Sequence, residues 1–265
     1  MSAFSPLATA HERDGDIEFD EPLHKYTILG NTDYTSVTTF IGKLFEPFNA
    51  DAVIENMMRG RNWQKNKYFG MTAEAIKKQW ADSGVKAAAE GTKMHADIES
   101  YYKGEPYDNS SVEFQQFLSF TTTMGLRPYR SEWRVYNEDV KIVGTIDMVF
   151  EHFDGTVSIY DWKRSKKLDK YEGWGKRAKH GVLKHIPDTN YWHYALQLNL
   201  YQYLLETKYG LRVVDRVLVC CHPERESFEA AKVPDLQHEI KLLLAQPKDC
   251  DYTPNLEPLE FIGSF

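Results

Sequence analysis

Two short segments carry most of the information in this chain: Gly144-Thr145-Ile146-Asp147 and Ile159-Tyr160-Asp161-Trp162-Lys163. In each of them an aspartate follows a β-branched and aromatic run that is typical of a β-strand. Adjacent strands ending in these residues would bring two carboxylates and one ammonium group together. Carboxylates are the hard oxygen ligands that hold Mg2+ or Mn2+. A metal ion beside a lysine is what phosphodiester hydrolysis requires, because water must be activated and charge on the phosphate must be offset.

The turn between the two strands determines whether the carboxylates meet. Asp154-Gly155 predicts a hairpin between the strands 140–151 and 156–163. A three-residue loop at 153–155 would place Asp147 directly opposite Asp161 on one face of the sheet. A two-residue loop would turn them to opposite faces unless a bulge intervened. The catalytic interpretation therefore predicts the three-residue loop or a bulge.

Length and composition indicate a globular protein without a membrane anchor. The chain has 265 residues and no apolar stretch long enough to span a bilayer. Residues 1–20 carry several acids and no apolar core, which argues against a signal or transit peptide. We therefore expect a soluble intracellular protein, cytoplasmic or nuclear, with a viral or phage origin left open, and not a secreted one.

The cysteines and the missing nucleotide motif exclude several cofactors. Cys220, Cys221 and Cys250 are too few for a four-cysteine iron–sulfur cluster within this chain, and they indicate no disulfide framework. The sequence contains no Walker A motif, so no nucleotide cofactor is expected.

A basic segment follows the second acidic motif although the net charge of the chain is −7. It holds nine basic residues: Lys163, Arg164, Lys166, Lys167, Lys170, Lys176, Arg177, Lys179 and Lys184. Only Asp169 and Glu172 oppose them. Such a local stripe favours phosphate binding, and the alternative is a solvated charged loop.

A second basic segment contains aromatic residues. Residues 49–80 look helical, with a break near Gly70, and they combine Arg61 and neighbouring lysines with Trp63 and Phe69. Rings on which bases stack, interleaved with cations, suit single-stranded nucleic acid. A lid whose aromatic side chains form their own small core explains the pattern equally well.

Further polar residues lie on predicted helices and strands. His95 and Glu99 share one face of a helix expected from residue 82 or 83 to about 103, and Glu132 begins a predicted strand. Gln197 and Tyr201 lie on an apolar helix over about 191–209. Upstream, the β-branched run 34–40 predicts a strand.

The ordered set of these motifs resembles the PD-(D/E)XK nuclease superfamily, specifically its RecB-like exonuclease branch. The residues that carry the resemblance are Gly91-Thr92-x-x-His95, Gly144-Thr145-Ile146-Asp147, Asp161-x-Lys163 and Gln197-x-x-x-Tyr201. The resemblance implies an α/β fold with a restriction-endonuclease-like core, in which helices flank a mixed central β-sheet. An N-terminal β/helical lobe, residues 1–80, would pack on the nuclease core, residues 81–265, in one compact unit.

The resemblance also implies roles for individual residues. Asp147, Asp161, His95 and the backbone carbonyl of Trp162 would bind one or two Mg2+ or Mn2+ ions, with Glu132 as a further catalytic acid. Lys163 would orient or deprotonate the attacking water, and Glu99 would orient His95. The residues expected to contact DNA are Gln197, Tyr201, Arg164, Lys166, Lys167, Trp63, Arg61, Trp174, Lys176 and Arg177.

The expected activity is metal-dependent hydrolysis of DNA from single strands or ends, in replication, repair or recombination. Three alternatives remain. One is a structure-selective or flap endonuclease. Another is a nucleic-acid-binding protein without catalytic activity on the same fold. The third is a structural or recruitment subunit whose acids make only salt bridges.

Overall fold

The computed structural model describes residues 10–21, 23, 25–171 and 175–245. Its helices are α1 (Val37–Gly42), α2 (Ala50–Arg59), α3 (Ala73–Lys103), α4 (Val112–Met124), α5 (Asn190–Lys208) and α6 (Gln237–Leu244). Its strands are β1 (Ile17–Asp20), β2 (Lys25–Ile28), β3 (Thr35–Ser36), β4 (Arg127–Asn137), β5 (Ile142–Glu151), β6 (Val157–Arg164), β7 (Val213–Cys221) and β8 (Glu229–Lys232). Within the described residues, no helix has both the length and the apolar character that crossing a membrane requires.

The central sheet is mixed. Its strands follow the order β3-β5-β6-β7-β8, and β4 also pairs with β5. The pairs β4–β5, β5–β6 and β7–β8 are antiparallel, whereas β3–β5 and β6–β7 are parallel. A separate hairpin consists of β1 and β2.

Helices cover both faces of the sheet. On one face, α1, α5 and α6 form an apolar cluster with inward side chains such as Ile146 and Ile159. On the other face, α3 and α4 pack against Met148, Tyr160 and Trp162. Because side chains alternate along a strand, β6 supplies both layers at once. The expected mixed sheet flanked by helices is confirmed.

The hairpin between β5 and β6 has the register that the three-residue loop predicts. Met148 pairs with Tyr160, and Glu151 pairs with Val157. The ladder stops at Met148–Tyr160, one step before the two aspartates would face each other. Beyond that point β5 continues beside β3 and β4, while β6 continues beside β7. The two strands therefore separate where Asp147 and Asp161 lie.

Two expected element boundaries were wrong. The predicted strand 34–40 ends at Ser36, because the Ser36 hydroxyl accepts a hydrogen bond from the Thr39 amide and begins helix α1. This N-cap outweighs the β-branched propensity of the following residues. Helix α3 begins at Ala73, capped by the Thr72 side chain, and not at residue 82 or 83.

Helix α3 runs through the boundary at residues 80/81, so it continues from the first predicted lobe into the second. The division of the chain into two lobes stays a prediction. At its start α3 packs on α2, and Ile54 and Ile76 are buried there. Residues 81–89 are exposed on every side of the helix, and burial resumes at Met94. A helix that is exposed all round bridges two packed regions. We call residues 49–80 the helical arm.

Candidate active site

Three side chains from different elements converge at the point where β5 and β6 separate. His95 comes from α3, Glu132 from β4 and Asp147 from β5, and each is half-buried. One ligand atom from each of these residues lies within 4.8 Å of the others. His95 Nδ1 is 3.6 Å from Asp147 Oδ2 and 3.9 Å from Glu132 Oε1.

Glu132 reaches this group through an uncommon backbone conformation. Its φ angle is 44°, in the left-handed region that a residue with a Cβ rarely adopts. The residues on both sides remain paired with β5, Ser131 with Met148 and Trp133 with Ile146. Strain of this kind concentrates at functional sites, where the surrounding structure holds it in place.

The backbone of Trp162 forms the opposite wall of the site. Its N–H donates a hydrogen bond to Asp147 Oδ2 at 2.8 Å, and its carbonyl oxygen accepts one from His95 Nε2 at 2.9 Å. Both groups point to the side where β5 would otherwise continue the ladder. The separation of the strands therefore frees two backbone groups, and the site uses both.

The Trp162 side chain points to the other layer. It is buried among aromatic rings, including those of Phe117 and Phe120 at centroid distances of 5.3 and 5.2 Å. The Trp162 indole thus anchors β6, while the Trp162 backbone contacts Asp147 and His95.

Asp161 and Lys163 form a buried ion pair beside this group. Lys163 Nζ lies 2.7 Å from Asp161 Oδ2, with 1% of the Asp161 side chain and 17% of the Lys163 side chain exposed. Gln197 donates a hydrogen bond to the second oxygen, Asp161 Oδ1, at 3.2 Å. Both carboxylate oxygens of Asp161 thus have protein partners. The acid that lies with His95 and Asp147 in the group of possible metal ligands is Glu132.

One face of α5 supplies three side chains to the site. Gln197 Nε2 lies 3.3 Å from the Tyr201 hydroxyl, and the Tyr194 ring lies under Lys163 Nζ at 4.5 Å from its centroid. Residues 194, 197 and 201 share this face because they are three and four positions apart. Gly144 makes room for Tyr201, since a Cβ there would lie 2.8 Å from Tyr201 Cε1.

The charges in the site influence one another strongly. Burial lowers the pKa of His95, but the Asp147 and Glu132 carboxylates outweigh it and raise the pKa to about 9. Burial raises the pKa of Asp161 to about 6, with Lys163 opposing the rise and Asp147 adding to it. Burial also raises the pKa of Asp147, against the opposing charges of His95 and Lys163.

Lys163 remains a cation at neutral pH. Burial lowers its pKa, but the carboxylates of Asp161 and Asp147 outweigh burial and raise the pKa above its usual value. A lysine in this state offers positive charge and hydrogen-bond donors, and it is a poor proton acceptor.

The donor set fits a hard divalent cation. Two carboxylates and one imidazole nitrogen converge there without any thiolate, and the Trp162 carbonyl contacts the other imidazole nitrogen. Carboxylate and carbonyl oxygens suit Mg2+ and Mn2+. The raised pKa of His95 shows that the group stabilises positive charge.

This fold and this site define a class of metal-dependent nucleases. The chain belongs to the PD-(D/E)XK nuclease superfamily, whose model matches residues 49–255. It is therefore a nuclease with a nucleic-acid substrate, and nucleases of this superfamily use divalent metal ions. The resemblance of the motifs to this superfamily is confirmed.

Comparison with solved structures finds 22 matching chains. One is the protein SSO0001, with 17% identity and a TM-score of 0.34, covering 81% of this chain and 74% of that one. Another, from Eubacterium rectale, is described as a "putative exonuclease" and has 15% identity and a TM-score of 0.36. That match covers 80% of this chain and 77% of the other. A search of curated proteins finds no match.

Several residues expected to contact DNA have protein partners. Arg164 pairs with Glu113 at 2.7 Å and Glu90 at 2.8 Å, so it ties β6 to α3 and α4. Arg177 donates to the carbonyl oxygen of His185 at 2.7 Å. These contacts favour structural roles for both arginines.

Two further cations of the stripe, Lys166 and Lys167, are exposed. Lys166 pairs with Glu224, and Lys167 Nζ lies 3.5 Å from Asp169 Oδ2. Lys176 is exposed. Trp174 lies outside the described residues.

Arg61 and Trp63 lie in the helical arm, away from the acidic group along α3. Arg61 is exposed, and the Trp63 ring meets the Phe69 ring at 5.9 Å. The Trp80 indole donates to the Tyr68 hydroxyl at 2.8 Å. Aromatic contacts within the arm agree with a small core of its own, although Phe69 remains 55% exposed.

The expected contact between Glu99 and His95 is absent among the described residues. Glu99 pairs with Lys103 at 2.5 Å, and the His95 nitrogens face Trp162, Asp147 and Glu132. Sequence reasoning missed Tyr194, which its spacing from Gln197 and Tyr201 could have revealed.

Proposed function

We propose that this nuclease is a Mg2+-dependent DNA exonuclease of the RecB-like branch that degrades single strands or free ends. Replication, repair or recombination is the proposed setting. The observation that carries the proposal is the group His95, Glu132 and Asp147 directly beside the Asp161–Lys163 ion pair.

In this proposal, Glu132, Asp147 and His95 hold the metal ion, with the Trp162 carbonyl beside them. When bound, the ion lowers the pKa of a coordinated water and polarises a phosphate oxygen. Because the neighbouring carboxylates raise the pKa of His95, its imidazole would have to lose a proton to serve as a ligand.

Lys163 places positive charge where the phosphate gains negative charge. Its retained proton supports this role, and not that of a base that deprotonates water. A fixed ammonium group in a buried site stabilises developing charge without first reorganising solvent.

Asp161 holds Lys163 in position, and Gln197 fixes the orientation of the Asp161 carboxylate. Asp161 would become a metal ligand only by sharing the oxygen that contacts Lys163 or the one that contacts Gln197. Gln197 and Tyr201 lie beside Asp161, where they would help to hold the strand that is cut.

The preference for single strands or ends rests on the helical arm. Its exposed rings and cations offer stacking and phosphate contacts that do not depend on sequence. Bases must be unpaired to stack on such rings, and this favours a single strand over a duplex.

The deciding experiment compares end-labelled linear and circular single-stranded DNA in the presence of Mg2+. We expect the protein to degrade linear DNA and to leave circles intact, with activity lost in Asp161→Asn. Lys232→Ala is the control, because Lys232 lies on β8, outside the helical arm and the acidic group, and pairs with Asp215 at 2.8 Å. Cutting of circles would support the endonuclease alternative. Binding without cutting, and no metal-dependent rise in melting temperature, would support the non-catalytic alternative.

A further inference from the structure

A cleft opens beside the metal-binding group and shares Glu132 with it. It is lined by Asp14, Ile17, Arg130, Glu132, Trp133 and Arg134. Its two arginines lie on β4, the strand that also carries Glu132. A strand of nucleic acid with one phosphate at the metal site would place a neighbouring phosphate near this cleft.

The two arginines differ in their partners. Arg130 pairs with Asp14 at 2.7 Å and lies over the Trp133 ring. Arg134 has no carboxylate partner within 4.0 Å in the part of the chain that the structure describes. Its guanidinium lies 5.3 Å from the centroid of Phe19, on the β1–β2 hairpin. An exposed guanidinium stacked on a ring and unpaired with acid keeps its donors for an external anion.

Two hydroxyl groups lie on the same face as Arg134. Thr145 is its direct cross-strand partner on β5, so the two side chains project from the same side of the sheet. The Thr145 hydroxyl lies 3.0 Å from the Tyr26 hydroxyl. Burial raises the pKa of Tyr26, and the hydrogen bond with Thr145 and the positive charge of Arg134 oppose this rise.

The register fixes the distance from this pair to the metal-binding group. Arg134 follows Glu132 by two positions, and Thr145 precedes Asp147 by two positions. The Arg134–Thr145 pair therefore lies one side-chain repeat along the sheet from Glu132 and Asp147, roughly 7 Å away. One nucleotide of an extended single strand can bridge such a step.

We propose that Arg134, with the hydroxyls of Thr145 and Tyr26, is a binding subsite for the phosphate adjacent to the one that is cut. This inference rests on the proposed function, since it places a nucleic-acid strand in the site. The bound group is either an internal phosphodiester or a terminal phosphate, and both present anionic oxygens to the guanidinium.

The test compares Arg134→Ala and Arg134→Lys with Arg127→Ala. Arg127 lies on the same strand but outside the cleft, where it pairs with Glu151 at 2.9 Å. We expect Arg134→Ala to reduce kcat/KM about 10-fold to 100-fold, because it removes a charge-assisted hydrogen bond. Arg134→Lys should restore part of this loss, and Arg127→Ala should change little.

Modified substrates identify the phosphate. Replacing one phosphate at a time by an uncharged methylphosphonate should weaken binding to the wild-type protein at the position next to the cut. The same replacement should not weaken the binding of Arg134→Ala any further. Oligonucleotides with and without a terminal phosphate distinguish the two sources, since only a terminal subsite discriminates between them.

Binding is measured by fluorescence anisotropy without divalent metal, so the result does not depend on cleavage. An equal methylphosphonate penalty in the wild type and in Arg134→Ala would overturn the inference. Equal kinetics for the Arg134 and Arg127 variants would overturn it as well. A wild-type protein that cuts no DNA would instead refute the proposed function. The anisotropy comparison would still show whether Arg134 binds a phosphate.

Discussion

The acid–lysine site on β6 and the helical arm are built in opposite ways. Asp161 is buried, and each of its carboxylate oxygens contacts a protein group, Lys163 or Gln197. In the arm, Phe69 is largely exposed and the Trp63 ring contacts it from one side. A stretch of α3 that is exposed on all sides joins the two regions.

This difference follows from what each region has to do. Charge stabilisation is strongest where water is excluded and the charged groups are fixed before the reaction begins. Capture of a strand needs exposed rings that adapt to any base. A buried site is therefore sensitive to small changes of shape, whereas an exposed arm tolerates them.

The largest effect is expected inside the buried site. Lys163→Met removes the positive charge but keeps most of the apolar stem, so kcat should fall about 10²-fold to 10³-fold. Steady-state kinetics on single-stranded DNA measures this change. Lys232→Met is the matched control, because Lys232 lies on β8, outside the basic stripe, with 71% of its side chain accessible. A similar loss in both variants would contradict the assignment of Lys163.

Replacement of glycine by alanine should have opposite effects on stability in the packed site and in the exposed stretch of α3 that joins it to the arm. Gly144→Ala forces a methyl group against the Tyr201 ring and Val37, so unfolding should become easier by about 1–3 kcal/mol. Gly84→Ala in the exposed stretch of α3 meets no atom within 4 Å and should stabilise the helix by up to about 1 kcal/mol. Urea denaturation measures both. Equal changes in the free energy of unfolding would contradict the difference in packing around Gly144 and Gly84.

In the arm, the expected effect is on substrate binding. Trp63→Ala should raise KM for single-stranded DNA about 10-fold and leave kcat nearly unchanged, because one stacking surface is lost. Trp63→Phe should preserve most of the affinity. A fall in kcat with unchanged KM would show that the arm acts on the chemical step.

The smallest effect tests the ring under Lys163. Tyr194→Leu removes the cation–π contact and should lower kcat about 3-fold to 10-fold, while Tyr194→Phe keeps the ring and should retain activity. The pH dependence of kcat distinguishes a role of Tyr194 in positioning Lys163 from a role in packing alone, because displacement of Lys163 would change that dependence. If the Phe variant loses as much activity as the Leu variant, the hydroxyl matters and not the ring.

Much of the site could be read from local pattern. The strands that carry Asp147, Asp161 and Lys163 follow from β-branched runs and from the Asp154-Gly155 turn, since these signals act over a few residues. The register of that hairpin is confirmed. The predicted strand at 34–40 failed because the cap at Ser36 competes with propensity, and propensity is the weaker signal.

Contacts between distant segments could not be read in this way. Glu132 joins His95 and Asp147 because β4 pairs with β5 on both sides of it, and β4 takes a left-handed conformation at that residue. The Trp162 backbone groups serve the site only because β5 and β6 separate beyond Met148 and Tyr160.

The sequence by itself determined the chemical groups, their order and the elements that carry them. Hydrophobic periodicity and turn residues specify elements locally, and the acidic motifs and the lysine indicate metal-dependent hydrolysis. The tertiary structure alone decided which acid lies with His95, which ring contacts Lys163 and which of the two cleft arginines has no carboxylate partner among the described residues. The physical reason is that these outcomes depend on packing between segments far apart in the chain, where burial and charge pairing outweigh local preference.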